Sequence, residues 1–216
     1  MIDLHTHSFL SDGVLSPAEM ISCAAAIRCR GLAISDHADD ATLDFIVEAL
    51  RRLADNAGDD LPLRFLVGVE ITHVPPARIG PLADRARGLG ADVVLVHGET
   101  LVEPVPKGTN RAAIEAGVDI LAHPGLITLD EATMAAQAGV LLEVTSRKGH
   151  CYTNGHVVRT GRKVGAGIII GSDAHEPGDL LSRAFAEKVA LGAGLSSDEV
   201  KAAFGNAEVL LERERA

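Results

Sequence analysis

Tryptophan is absent, tyrosine occurs once and phenylalanine five times, so these 216 residues offer few flat faces on which bases could stack. Cysteine is scarce too. Cys23, Cys29 and Cys151 are odd in number and show no CxxC spacing, which excludes a disulfide frame and a thiolate zinc site and leads us to expect a reducing, cytoplasmic setting. No apolar run approaches bilayer length, so no membrane association is expected. The opening MIDLHTHS has neither a basic segment nor a long apolar one, and no secretory leader is expected. GxGxxG and Walker-type loops are missing. Positive charge is in deficit as well. The 20 Lys and Arg stand against 30 Asp and Glu, and a net charge of −10 repels long nucleic acid at range.

Hydrophobic residues are plentiful at 47%, enough for the core of one domain spanning residues 1–216. Short apolar runs of β character recur at Ile2–Leu4, Leu32–Ser35, Arg64–Val69, Asp92–Val96, Asp119–Ala122, Val140–Val144 and Gly167–Ile170. Between them helical periodicity falls at about Pro17–Arg28, Ala41–Ala54, Ile79–Leu89, Thr109–Ala116, Asp130–Gln137 and Gly155–Val164. Ser16-Pro17 reads as a helix start, and Gly31, Gly90, Gly117 and Gly139 read as stops. Strands alternating with helices imply an α/β fold on a parallel sheet, open or closed into a barrel. From about residue 180 the pattern is helical and ends in an exposed charged stretch, Glu212–Arg215.

The residues that follow each β-run carry the chemistry. His5 and His7 follow the first and Asp36 and His37 the second; Glu70, His97 and His123 close the next three. The sixth runs into Ser146, Arg147 and Lys148, and the seventh into Asp173 and His175. In parallel α/β folds the C-terminal strand ends are where ligands bind. Imidazoles mixed with carboxylates suit zinc, manganese or iron rather than calcium or magnesium. The i, i+2 spacing of His5 and His7 puts both rings on one side of an extended chain, and Asp173 and His175 repeat it. Asp12, in a turn-like Ser11-Asp12-Gly13, can fold back over the same rim. With Glu70 as a bridging carboxylate, about nine ligands exceed what one ion uses. Two or three divalent cations at roughly 3.5–4 Å spacing are expected.

The segments HTHSFLSDG (5–13), SDH (35–37), GVE (68–70), VHGE (96–99), AHPG (122–125) and GSDAH (171–175) resemble the motifs of the PHP (polymerase and histidinol phosphatase) family. The resemblance implies a distorted TIM-like (β/α)7 barrel with a trinuclear centre that hydrolyses phosphate esters. It implies a first metal on His5, His7, Glu70 and Asp173, and a second on Asp12, His37 and His175. A third would take Glu70, His97 and His123.

Other polar residues read less specifically. Asp36 serves either as a helix cap or to orient His37. His73 reads as a loop residue, and Gly98, Gly125 and Gly171 read as turn formers. Arg147, Lys148, His150 and Asn154, in a loop at 146–156, are expected to clamp the phosphoryl oxygens not held by metal. Lys107, Asn110 and Arg111 are candidates for the facing side. The expected reaction is phosphate-ester hydrolysis by a metal-activated water, with Glu70, Asp173 and His175 as catalytic candidates. A small phosphorylated metabolite such as histidinol phosphate is the favoured substrate. A phosphodiesterase or exonuclease acting on nucleotides or cyclic phosphates is the alternative. A non-enzymatic RNA-binding scaffold would call for a basic surface and eroded ligands, and the chain has neither.

Overall fold

Each of the seven apolar runs forms a strand, with ends shifted by no more than about two residues. The computed structural model describes residues 1–213, the side chain of Asp59 aside; Glu214 and Arg215 of the charged end lie outside the described residues. The strands are β1 (Ile2–Asp3), β2 (Gly31–Ile34), β3 (His37–Ala38), β4 (Arg64–Ile71), β5 (Val93–His97), β6 (Ile120–Ala122), β7 (Leu141–Thr145) and β8 (Ile168–Gly171). Eight helices alternate with and follow them: α1 (Pro17–Ala26), α2 (Leu43–Ala57), α3 (Pro76–Gly88), α4 (Thr109–Glu115), α5 (Leu129–Ala138), α6 (Asn154–Val164), α7 (Arg183–Gly192) and α8 (Ser197–Glu212).

Every strand pair is parallel, in the order β1-β2-β4-β5-β6-β7-β8, with β3 continuing the second strand after a break at Ser35 and Asp36. The first and last strands nearly close the ring. Thr6 bridges Ala174, His7 N–H donates to the Ala174 carbonyl at 2.8 Å, and Asp173 N–H donates to that of His5 at 2.9 Å. The result is a seven-stranded, nearly closed TIM-like barrel.

Local chemistry explains the boundaries. Ser16 and Glu19 form a capping box on α1 with Pro17 at the first helical position, and Thr128 and Glu131 do the same on α5. Gly90, Gly117 and Gly139 all take positive φ after helices, as stops should. Gly31 does not. It opens β2, where a Cβ would press on the Leu211 side chain. The stretch expected as a loop at 146–156 instead makes a 3-10 turn at His150–Thr153 and enters α6 at Asn154.

The period-2 alternation of the strands builds two cores. Leu32, Ile34, Val67, Val69, Val94, Val96, Leu121, Leu142 and Val144 face outward onto the helices. Leu4, Ala33, Leu66, Val93, Leu95, Ile120 and Ile169 fill the barrel, together with Ala207, Leu210 and Leu211 of α8. The C-terminal helix therefore seals the apolar end of the barrel and leaves the other end for polar groups. Among the described residues, no helix is long and apolar enough to cross a membrane. Leu211→Ala should lower unfolding free energy by about 2–5 kcal/mol in chemical denaturation. A change within about 0.5 kcal/mol, as at an ordinary surface position, would mean that α8 does not seal the barrel.

Candidate metal centre

Followed upward, the inward-facing side chains change from apolar to ionisable. Leu66 gives way to Gly68 and Glu70 on β4, Val93 and Leu95 to His97 on β5, and Leu141 to Glu143 on β7. The β4 register sets His37 beside Glu70. His123 and Asp173 follow their strands in positive-φ conformations, as does His73, at +29°, +54° and +55°. Non-glycine residues rarely adopt such backbone angles, and they concentrate at functional sites.

Four donors converge at the barrel axis. His5 Nε2 lies 3.4 Å from Glu70 Oε2 and 3.7 Å from Asp173 Oδ1; His7 Nε2 lies 3.6 and 3.3 Å from the same two oxygens. Ligands of a tetrahedral zinc ion, each about 2.1 Å from it, stand about 3.4 Å apart. The spacing fits one ion. Beside it Asp12 approaches His37 Nε2 at 3.6 Å and His175 Nε2 at 3.0 Å, with His7 close enough to share. On the opposite side His123 Nε2 is 3.6 Å from Glu70 Oε1, and His97, His123 and His150 fall within reach of one another. The carboxylate that meets His97 Nε2 is Glu103, at 3.2 Å.

The far ring nitrogens are tied down. The Thr72 hydroxyl donates to the Glu70 carbonyl, so its oxygen accepts from His37 Nδ1–H at 2.7 Å. His5 Nδ1–H donates to Glu143 Oε1 at 2.7 Å, and His175 Nδ1–H donates to the Asp173 carbonyl at 3.0 Å. Such bonds fix ring orientation and leave Nε2 for the centre. His5 Nε2, both nitrogens of His7 and both carboxylate oxygens of Glu70 are buried without an aligned hydrogen bond. Unpartnered donors of this kind, oxygen and imidazole nitrogen together, fit a borderline divalent cation.

Burial opposes charge on His5 and His37, but neighbouring carboxylates outweigh it. Glu143, Glu70 and Asp173 hold His5 well above its ordinary pKa, and Glu70 with Asp12 holds His37 up at about 9. Burial, reinforced by the charge of His37 on one and His97 on the other, holds His7 and His123 well below it. Asp173 is pushed up to about 7 by burial. The hydrogen bond from His97 draws Glu103 down to about 2.

All the ligands expected from sequence thus come to one rim, but the expected clamp comes together only in part. Asn154 is committed elsewhere: its amide accepts from Thr145 N–H at 3.2 Å and donates to the Thr145 carbonyl at 2.7 Å, so it secures the end of β7. That corrects its assignment as a substrate contact. Arg147 pairs with Asp179 at 3.0 Å, Lys148 is exposed, and His150 turns Nε2 towards Glu103 at 3.3 Å. Asn110 is likewise structural, donating to the Pro124 carbonyl. Asp36 does not cap α2; it accepts from Ser8 N–H, Ser8 Oγ and Ser11 Oγ, each at 2.7 Å, and so pins the turn that carries Asp12.

Two residues escaped the sequence reading. Glu143, a charge inside the apolar run LLEVT, signalled an inward polar contact. Glu103, in LVEPVP, gave no signal. Gly171 is no turn former: a Cβ there would run into Glu143 Oε1.

The PHP domain model matches residues 3–151. Uncharacterized protein MJ1295 of Methanocaldococcus jannaschii is 43% identical over 203 residues, covering 92% of each chain. The 5'-3' exoribonuclease Rnm of Salmonella typhimurium is 36% identical over 72 residues, 33% of this chain and 22% of that protein. Two solved structures share the fold at low identity. A chain of archaeal ribonuclease P with mature tRNA has TM-score 0.70 at 17% identity, covering 97% of this chain and 90% of that one. Histidinol phosphate phosphatase from Lactococcus lactis, complexed with zinc, L-histidinol and phosphate, has TM-score 0.57 at 14% identity, covering 97% and 93%.

Glu143 supports the centre from two directions, since its Oε2 also accepts from His123 N–H at 3.0 Å. Glu143→Gln sets an amide N–H against one of the two donors, His123 N–H or His5 Nδ1–H, and removes the charge behind His5. Zinc affinity, measured by chelator competition, should fall roughly 10–100-fold. Wild-type affinity in the variant would deny Glu143 this role.

Proposed function

The chain belongs to the PHP domain family and is a metal-dependent phosphoesterase in fold and in the ionisable groups its barrel gathers; we propose that it hydrolyses a small phosphomonoester. The observation that carries this reading is the buried set of His5, His7, Glu70 and Asp173, spaced for one cation and flanked by further donor groups. We assign the first position to those four residues, the second to Asp12, His37 and His175, and the third to a set that includes His97 and His123. Two or three zinc, manganese or iron ions suit these donors. Divalent cations held there supply Lewis acidity to phosphoryl oxygens and hydroxide near neutral pH.

Glu70 and Asp173 act by fixing positions: each carboxylate reaches His5, His7 and His123 from one side of the axis. His175 keeps Nδ1–H on the Asp173 carbonyl, so its Nε2, beside the half-exposed Asp12 at the mouth, would join Asp12 and His37 in holding the second cation. Arg147 spends Nη1 on Asp179, and we assign its remaining N–H groups, with exposed Lys148, to the outer phosphate oxygens. The Lactococcus enzyme, crystallised with L-histidinol and phosphate, supports a small ester of this class.

Nucleotide esters are the second reading. The stretch shared with the exoribonuclease favours it, as do Phe9 and Tyr152, 57% and 69% exposed on the β1–α1 and β7–α6 loops, where a base can stack. A net charge of −10 argues against long RNA and against the scaffold role that the ribonuclease P likeness brings to mind. The three free cysteines support a cytoplasmic setting.

The metal-reconstituted protein should be assayed on small phosphomonoesters, linear diesters, cyclic phosphates and oligonucleotides. We expect the highest kcat/KM on monoesters. Arg147→Ala should lower it by about 1.5–3 kcal/mol, roughly ten- to a hundredfold, and by less on diesters, which carry one charge fewer. Preference for oligonucleotides or cyclic phosphates would promote the second reading. Failure to turn over any ester would sink both.

A further inference from the structure

The loops after β5 and β7, joined by His73 from the loop after β4, bring three more ionisable groups to the outer side of His97. Glu103 Oε2 lies 3.2 Å from His97 Nε2 and 3.3 Å from His73 Nε2, while Glu103 Oε1 lies 3.3 Å from His150 Nε2. His150 is buried, and its Nδ1 is tied to Thr100 Oγ1 at 2.9 Å. That is the arrangement of His5 and His37, with one nitrogen held by the protein and the other turned to the centre. Its ring lies 4.2 Å from that of His123, and the nitrogens of His97, His123 and His150 are close enough to share one ion.

The two loops are also packed against each other. Gly149 has φ +91°, and a Cβ there would press on the Val102 side chain one residue before Glu103. His73 reaches Glu103 from a positive-φ backbone, the conformation shared by His123 and Asp173. Charge separates a clamp from a ligand set. A carboxylate facing an incoming phosphate repels it, whereas the same carboxylate on a cation helps to hold that cation.

We propose that His150 and Glu103 are ligands of the third cation position alongside His97 and His123, taking a borderline divalent cation such as zinc, and that His73 is a positioning residue for Glu103. The proposal rests on the metal-dependent reading and changes which residues complete it. His150 leaves the substrate clamp for the metal centre. The β5–α4 loop, through Glu103, becomes part of the metal centre.

The test counts zinc on the full chain equilibrated against a chelator at set free-zinc levels, with elemental analysis as the readout. Wild type should keep its third ion where Glu103→Gln and His150→Gln have lost it, a weakening of about tenfold or more in that step alone. His73→Asn, chosen because asparagine tolerates positive φ, should weaken the same step less. Thermal melting of each zinc-free variant checks that it is folded. Three ions at wild-type affinity in both ligand variants would overturn the proposal and leave the phosphoesterase reading standing. So would a wild type that takes up two ions and no third, or folded variants that lose all three equally. Wild type that binds no zinc, manganese or iron would remove the reading beneath it.

Discussion

Glu70 is a carboxylate shut off from solvent, with the imidazoles of His5, His7, His37 and His123 around it and no aligned hydrogen bond. A buried anion left alone costs several kcal/mol, so positive charge has to be supplied beside it. Histidines from three different β-ends supply it, as imidazolium or as ligands to a cation. The rest of the rim follows from that requirement. Glu143 stands behind His5, Thr72 behind His37, and Asp36 pins the turn that brings Asp12 to the second position.

The barrel makes such a concentration of charge tolerable by separating it along the axis. Inward positions near the strand starts are filled by Leu66, Val93, Leu95, Ile120 and Ile169 and closed by α8; those near the strand ends carry Glu70, His97 and Glu143. One alternation of side chains therefore builds the stabilising core and the reactive centre on the same strands. Glycine completes the fit where side chains compete for space. Gly171 leaves room for Glu143, and Gly31 leaves room for Leu211 at the other end.

The strands and most ligands were legible because their signals are local. A run of β-branched residues ending in His or Glu needs no tertiary knowledge, and His5-Thr6-His7 carries its geometry in its spacing. What was misread depends on who faces whom. Asn154 looked like a free polar group because nothing in the chain order shows its amide spent on both backbone groups of Thr145. Glu103 is placed against three histidines by the path of a loop, and no periodicity encodes that path. Glu143 lay between: its charge inside an apolar strand was visible, but its partners appear only when β1, β6 and β7 meet.

The most direct test is crystallography of the protein loaded with zinc, using anomalous scattering at the zinc edge to locate the ions. The account predicts a principal peak at about 2.0–2.2 Å from His5 Nε2, His7 Nε2, a Glu70 oxygen and an Asp173 oxygen, with further peaks towards Asp12 and towards His97. A map with no peak inside the ring of His5, His7, Glu70 and Asp173, at full zinc loading, would contradict it.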